Sequence, residues 1–234
     1  MSARVLLLLL LIFGPLSGSA GVRGPVVLLH GLARSADSML RLAQALRDAG
    51  YDACNVAYPS REHTIEVLAA EFVAPAVSTC FPSESRPIAF VTHSMGGILV
   101  RQLAATQPQL RIGRVVMLGP PNRGSELADQ MGAWRLSRAI TGPAGLELGT
   151  GPDSLPQQLG PARFEVGVIS GRHSINWWMS WLIPGPDDGK VSIERAKLDG
   201  MRDFIVLPVT HAFMMKDRQA IRQTLSFLER GRFR

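Results

Sequence analysis

Cysteine is nearly missing from this chain. Its 234 residues hold two, Cys54 and Cys80, neither in a Cys-x-x-Cys pair, which excludes a thiolate metal site and a disulfide-dense scaffold. Lysine is almost as rare: Lys190, Lys197 and Lys216 are the only ones, so the net charge of +6 rests on arginine. Those arginines are spread along the chain, apart from a short basic end at Arg230, Arg232 and Arg234. No basic stripe interleaves with aromatics, so no nucleic-acid partner is expected, and only a mild attraction to anionic membrane surfaces remains. Repeats and low-complexity tracts are absent. The longest apolar run, Val5–Phe13, has nine residues, well short of the roughly twenty a membrane-spanning helix needs.

What is present is core material, with 46% hydrophobic residues. That length and composition suit one sizeable α/β domain over residues 21–234. Residues 1–20 stand apart. Arg4 gives a weak positive start, Val5–Phe13 an apolar block, and Ser17-Gly18-Ser19-Ala20 a small-residue end. This reads as a secretory signal cut after Ala20, with an uncleaved N-terminal anchor as the alternative. The chain is therefore expected to be exported, periplasmic or secreted, or held at a membrane through that segment. Export bears on the cysteines. Cys54 lies in an expected strand, Tyr51–Ala57, and Cys80 ends the helix that follows. If that helix runs antiparallel to the strand, both sit toward one edge and a disulfide is geometrically reasonable. Two buried free thiols are the alternative.

Along the chain, strand and helix patterns alternate. Gly24–Leu32 is a continuous apolar run, as in a strand buried on both faces. Ser35–Ala49 is amphipathic and ends at Gly50. Thr64–Thr79 is a second helix, with Pro75 as an expected kink or break. Pro87–Val91 is a third strand, followed by a turn and an apolar helix. Further strands are expected at Arg114–Gly119, Phe164–Ser170 and Phe204–Pro208, with a last helix over Lys216–Arg230. This rhythm indicates βαβ units and a mostly parallel six-stranded sheet flanked by helices. Residues 126–161, rich in glycine and proline, are the least regular part and read as an inserted cap or a surface excursion packed on the domain. Three tryptophans cluster at Trp177, Trp178 and Trp181. They cover sheet or cap, or else form a rim that contacts lipid.

The segment Thr92-His93-Ser94-Met95-Gly96-Gly97 puts a serine at a sharp strand-to-helix turn. There the hydroxyl projects from the sheet, and a helix N-terminus favours a nearby oxyanion. The segment resembles the nucleophile elbow of the α/β-hydrolases, with Thr92 in place of the first glycine. His30-Gly31, Pro120-Pro121-Asn122-Arg123-Gly124-Ser125, Asp188-Gly189-Lys190-Val191 and Val209-Thr210-His211 follow the same order at expected strand ends. Together they are similar to the small secreted lipases and esterases of that superfamily over about residues 24–234.

The resemblance implies an α/β-hydrolase fold and a triad of Ser94 as nucleophile, Asp188 as acid and His211 as base. It also implies an oxyanion hole from the N–H groups of Leu32 and Met95, and no metal or organic cofactor. Asp187 stays as the alternative acid and His173 as the runner-up base, while His30 reads as a structural histidine of the loop. The expected activity is cleavage of small-molecule or lipid carboxylic esters, with peripheral membrane contact as a partner interaction. A non-catalytic binding protein on the same fold, or an acyltransferase using the same triad, are the alternatives.

Overall fold

The computed structural model describes residues 23–132, 135–174 and 183–234. The expected signal segment 1–20 and all four tryptophans (Trp134, Trp177, Trp178 and Trp181) lie outside the described residues.

Six strands form one sheet: β1 (Pro25–Leu29), β2 (Asp52–Val56), β3 (Ile88–His93), β4 (Ile112–Leu118), β5 (Val166–Gly171) and β6 (Asp203–Leu207). Their order is β2-β1-β3-β4-β5-β6, and every pair is parallel. Parallel neighbours need crossovers, and helices supply them, covering both faces. Odd and even positions of β1 show the division. Val27 and Leu29 face one core, with Phe90, Met117, Ile98 and Leu99. Val26 and Leu28 face the other, with Leu42, Leu46, Phe227 and Leu228.

On one face α1 (Leu40–Asp48) packs beside the last helix, α9 (Arg218–Arg230). Asp217 caps α9, its Oδ1 accepting from Gln219 N–H and Ala220 N–H, and Gly231 ends it with φ 70°, the expected start and stop chemistry. The opposite face carries the helical run from α2 (Ile65–Val67), through a π-helical stretch (Leu68–Val73), into α3 (Ala74–Cys80), together with α4 (Gly96–Thr106). Pro75 does not break this run. It falls in the first turn of α3, where its missing N–H costs little, and the π turn just before it absorbs the change of register.

Cys54 in β2 and Cys80 at the end of α3 are joined by a disulfide across a Cα–Cα distance of 6.2 Å and a sequence separation of 26. Closing a loop of that length restricts the unfolded chain by about 3.5 kcal/mol. The insertion differs from its expected irregularity. It holds α5 (Glu126–Gly132), α6 (Arg135–Leu146) and α7 (Leu155–Gln158). The cause lies in α6, which bends at Gly142 (φ 66°, ψ −175°) just before Pro143. Its two halves are too short to sustain a helical hydrophobic period.

The sheet's order reverses at β1, whose neighbours are β2 and β3. Loops leaving the carboxyl ends of β1 and β3 thus diverge, and such a switch point opens a crevice. His30-Gly31-Leu32 leaves one strand there and Ser94 leaves the other.

Candidate active site

Ser94 sits between the end of β3 and the start of α4 with φ +54°, a left-handed conformation that costs a side-chain-bearing residue about 1 kcal/mol or more. Backbone bonds pin the turn. Ser94 N–H donates to Leu118 O at 2.8 Å, and Ser94 O accepts from Gly97 N–H at 2.9 Å. Close approach does the rest: a Cβ on Gly96 would stand 2.6 Å from Leu29 O, so α4 can lie against β1 only with glycine there. Thr92, one strand residue before His93, is fully buried, and its hydroxyl has no partner among the described residues.

His211 follows β6, and Asp188 lies in the loop before the short helix α8 (Ile193–Ala196). Two bonds join them. His211 N–H donates to Asp188 O at 2.8 Å, and His211 Nδ1 lies 2.8 Å from Asp188 Oδ2. The other carboxylate oxygen, Oδ1, accepts from Lys190 N–H at 3.1 Å and Val191 N–H at 2.9 Å. The two side chains are 4% and 0% exposed, so this ion-pair geometry is shielded from water. A carboxylate on Nδ1–H fixes the imidazole tautomer and leaves Nε2 as the basic atom. Asp187 does something else: its Oδ1 accepts from Gly189 N–H at 2.6 Å and caps the turn.

The other histidines separate by environment. His93 Nε2 donates to His211 O at 2.9 Å, holding the histidine loop in place. Burial pushes the His93 imidazole well below its ordinary pKa, and the charge of His211 and then those of Arg34 and Lys190 push the same way. His93 is thus a neutral Nε2–H donor. His30 stacks on Tyr58 at 4.0 Å, accepts through its carbonyl from the Tyr58 hydroxyl, and places Nδ1 2.9 Å from Gly31 O. Burial lowers its pKa too. His63 stacks on Phe72. His173 is exposed and does not line the central cavity.

That cavity, of about 150 Å³, is lined by Leu32, Ser94, Leu127, Leu148, Val191 and His211 among others, so Ser94 and His211 open on one space. No hydrogen bond joins the Ser94 hydroxyl to His211 among the described residues; such contacts commonly tighten only when substrate is bound. Leu32 lines the cavity, whereas Met95 is fully buried and does not. Neither residue's backbone N–H has an acceptor among the described residues. The loop that carries Leu32 is shaped by Ala33, at φ +56°, whose N–H donates to the Ser60 hydroxyl at 3.1 Å. The Cys54–Cys80 bridge takes no part in lining the cavity.

Several residues of the site escaped sequence reading. Gly119, with φ +57°, lies against the acid–histidine contact: a Cβ there would be 3.0 Å from both Asp188 Oδ2 and His211 Nδ1. Its only signal is a glycine between strand end and Pro-Pro. Arg101 is buried in α4 without a carboxylate. It donates to the carbonyls of Asn122, Pro156 and Gly160 and so ties the elbow helix to the Pro-Pro-Asn loop and the insertion. Burial lowers its pKa to about 10. No sequence signal distinguishes it from the other arginines. No cluster of three or more metal-ligating side chains occurs among the described residues.

Against known proteins, residues 24–144 match the family described as the alpha/beta hydrolase fold. A search of curated proteins finds no match. Among solved structures, the mature form of Bacillus licheniformis lipase BlEst2 is 20% identical, with 92% of this chain and 96% of that chain covered and a TM-score of 0.67. The chain spans half the length of the propeptide form of the same lipase. Phospholipase PlaB from Legionella pneumophila, in complex with thio-NAD, is 19% identical over 85% of this chain and 58% of that one, with a TM-score of 0.65. Aspergillus fumigatus lipase B is 16% identical over 88% of this chain and 52% of that one, also at 0.65. At such identities the likeness is one of fold. With over half its length inside the family match and a six-stranded parallel sheet behind an elbow serine, this chain belongs to the α/β-hydrolase family.

Proposed function

We propose that this chain is an exported serine hydrolase that cleaves carboxylic esters. In this reading Ser94 Oγ attacks the ester carbonyl carbon while His211 Nε2 takes its proton. Asp188 holds Nδ1–H and stabilises the imidazolium that forms. The carbonyl oxygen, now an oxyanion, receives the N–H groups of Leu32 and Met95, an effect worth about 3 kcal/mol per donor. Collapse expels the alcohol, which takes the proton from His211. Water, deprotonated by the same nitrogen, then releases the acid and restores the serine.

The observation that carries the proposal is the buried 2.8 Å contact between His211 Nδ1 and Asp188 Oδ2, behind a cavity shared by His211 and the strained Ser94. A carboxylate–imidazole pair hidden from water is costly unless it is used. Support for lipidic esters comes from the mostly apolar lining and from the names of the lipases and phospholipase of like fold. Export is supported by the Cys54–Cys80 bridge, since disulfides persist in oxidising compartments.

The test is a ladder of p-nitrophenyl esters, short to long acyl, with wild type and Ser94→Ala. Wild type is expected to turn over, with short chains favoured. A cavity of about 150 Å³ suits an apolar group of about benzene size. Ser94→Ala is expected to lose about 10⁴-fold or more in kcat. Equal rates in the two proteins, or no fluorophosphonate adduct on Ser94 in folded wild type, would leave a binding protein as the better reading.

A further inference from the structure

Two cations on different loops line the same cavity. Arg34 comes two residues after Leu32, and Lys190 sits in the turn that carries Asp188. Neither makes a salt bridge among the described residues. Their treatment contrasts with that of other cations nearby: Arg101 donates to three carbonyls through its two terminal nitrogens, and Arg195 pairs with Glu126 at 3.1 Å. The acid that bears on Lys190 is Asp188, whose oxygens are already taken by His211 and by the N–H groups of Lys190 and Val191. Lys190 is exposed as a residue, yet its surroundings desolvate its ammonium. Desolvation lowers the Lys190 pKa, and the charge of Arg34 lowers it further, while that of Asp188 raises it. The two positive groups thus share one cavity lining, and Asp188 is the acid that partly offsets Lys190.

The space on either side of Arg34 differs in character. Inward lies the apolar cavity that opens on Ser94. Outward, across Ala33 and Arg34, lies a polar hollow of about 650 Å³ with Ser35, Ser38, Ser60 and Arg61 in its wall. It also holds Asp37, Glu62 and Lys216, so its own charge is mixed, whereas the lining of the inner cavity includes Arg34 and Lys190 and, among the described residues, no acidic residue. An amphiphile fits this layout: a tail inward, a scissile ester at Ser94, and an anion beside the two cations of the lining. A guanidinium fork and an ammonium together suit phosphate oxygens.

We infer that the substrate is an acyl ester whose alcohol portion carries a phosphodiester, held between Arg34 and Lys190 while its acyl chain fills the apolar cavity. This rests on the ester-hydrolase reading for its chemistry, but not for its binding. Lys190 bears on the site twice: its backbone N–H steadies the Asp188 carboxylate, and the residue lines the cavity, coupling anion binding to the same turn.

The experiment has a binding arm and a turnover arm, both on the full chain. In the Ser94→Ala protein, calorimetry compares dihexanoyl phosphatidylglycerol with uncharged dihexanoylglycerol. The anionic lipid is expected to bind about tenfold tighter at low salt, with the difference shrinking as salt rises. Arg34→Gln and the double variant Arg34→Gln/Lys190→Gln are expected to erase that difference, with the single variant guarding against misfolding of the double. Inorganic phosphate alone is expected to bind at least about tenfold more weakly than the phospholipid, because it leaves the apolar cavity empty. In wild type, the ratio of kcat/KM for the anionic over the uncharged ester is expected to fall about tenfold in the variants. Equal binding of the two lipids, or an unchanged ratio in both variants, overturns the anion site while leaving the hydrolase intact. Inorganic phosphate binding as tightly as the phospholipid overturns the amphiphile. Selective binding without turnover of either ester keeps the anion site and sinks the hydrolase instead.

Discussion

Glycine does opposite things in two regions of this molecule. At the elbow it is there because nothing larger fits: a Cβ on Gly96 would come within 2.6 Å of Leu29 O, and one on Gly31 within 2.9 Å of His93 Nδ1. In the insertion the constraint is uneven. A Cβ on Gly142 would collide with Arg61 O, one on Gly145 with Thr141 Cβ and one on Gly149 with Asp129 Oδ1, but one on Gly151 or Gly160 meets nothing within 4 Å. The elbow glycines are thus hemmed in throughout, whereas the insertion has crowded glycines and open ones side by side. Strain needs such confinement. Ser94 at φ +54° persists only because β1, β4 and α4 leave it no alternative.

The sharpest test of this contrast is Ser94→Gly. If the serine is held against its own preference, glycine relieves about 1 kcal/mol of strain, while the hydroxyl's loss removes activity about 10⁴-fold or more. Thermal unfolding and ester turnover measured on the same preparation read both. A variant that melts several degrees lower would mean that the turn carries no stored strain. Gly96→Ala works in reverse. The added methyl has to push α4 off β1 against a backbone oxygen, for about 2–3 kcal/mol, read by urea denaturation. A change within about 0.5 kcal/mol would show that the helix has slack to give.

A smaller effect comes from the histidines behind the site. His93 and His30 have folded-state pKa values lowered by burial, His93 well below the ordinary 6.5. As pH falls through 6.5, the unfolded chain takes up protons that the folded chain refuses, so stability falls on acidification and is flat above. Each such group contributes up to about 1.4 kcal/mol per pH unit. His93→Gln keeps an N–H for His211 O and removes the titration. Between pH 6.5 and 5 its stability curve is expected to be flatter than that of wild type by about that slope. Parallel curves would mean that His93 protonates in the folded protein.

Much of the frame was legible in the sequence because hydrophobic runs and turn residues carry it: all six strands were located from residues alone, and strand-end loops follow each. The elbow was legible through Ser94 flanked by Gly96 and Gly97, and the Asp188–His211 contact is where the order of motifs put it. What stayed hidden has a common cause. Gly119, Ser60, Arg101 and the shared place of Arg34 and Lys190 in the cavity lining depend on neighbours distant along the chain, with no local period or motif to mark them. The helices of the insertion were missed for another reason: Gly142 and Pro143 interrupt α6, and a broken period reads as no period.

The least disruptive change completes the contrast. Gly151 has no positive φ and no neighbour within 4 Å of an added Cβ, so alanine there finds space and an accessible backbone conformation. Its effect comes from the unfolded chain, which loses freedom, so Gly151→Ala is expected to stabilise by about 0.4–1 kcal/mol with ester turnover unchanged. Equilibrium unfolding in urea resolves a shift of that size when the slope of the transition is shared between the two proteins. A loss of stability comparable to that of Gly96→Ala would erase the distinction, because it would mean that the insertion is held as tightly as the elbow and that its glycines answer to the same lack of room.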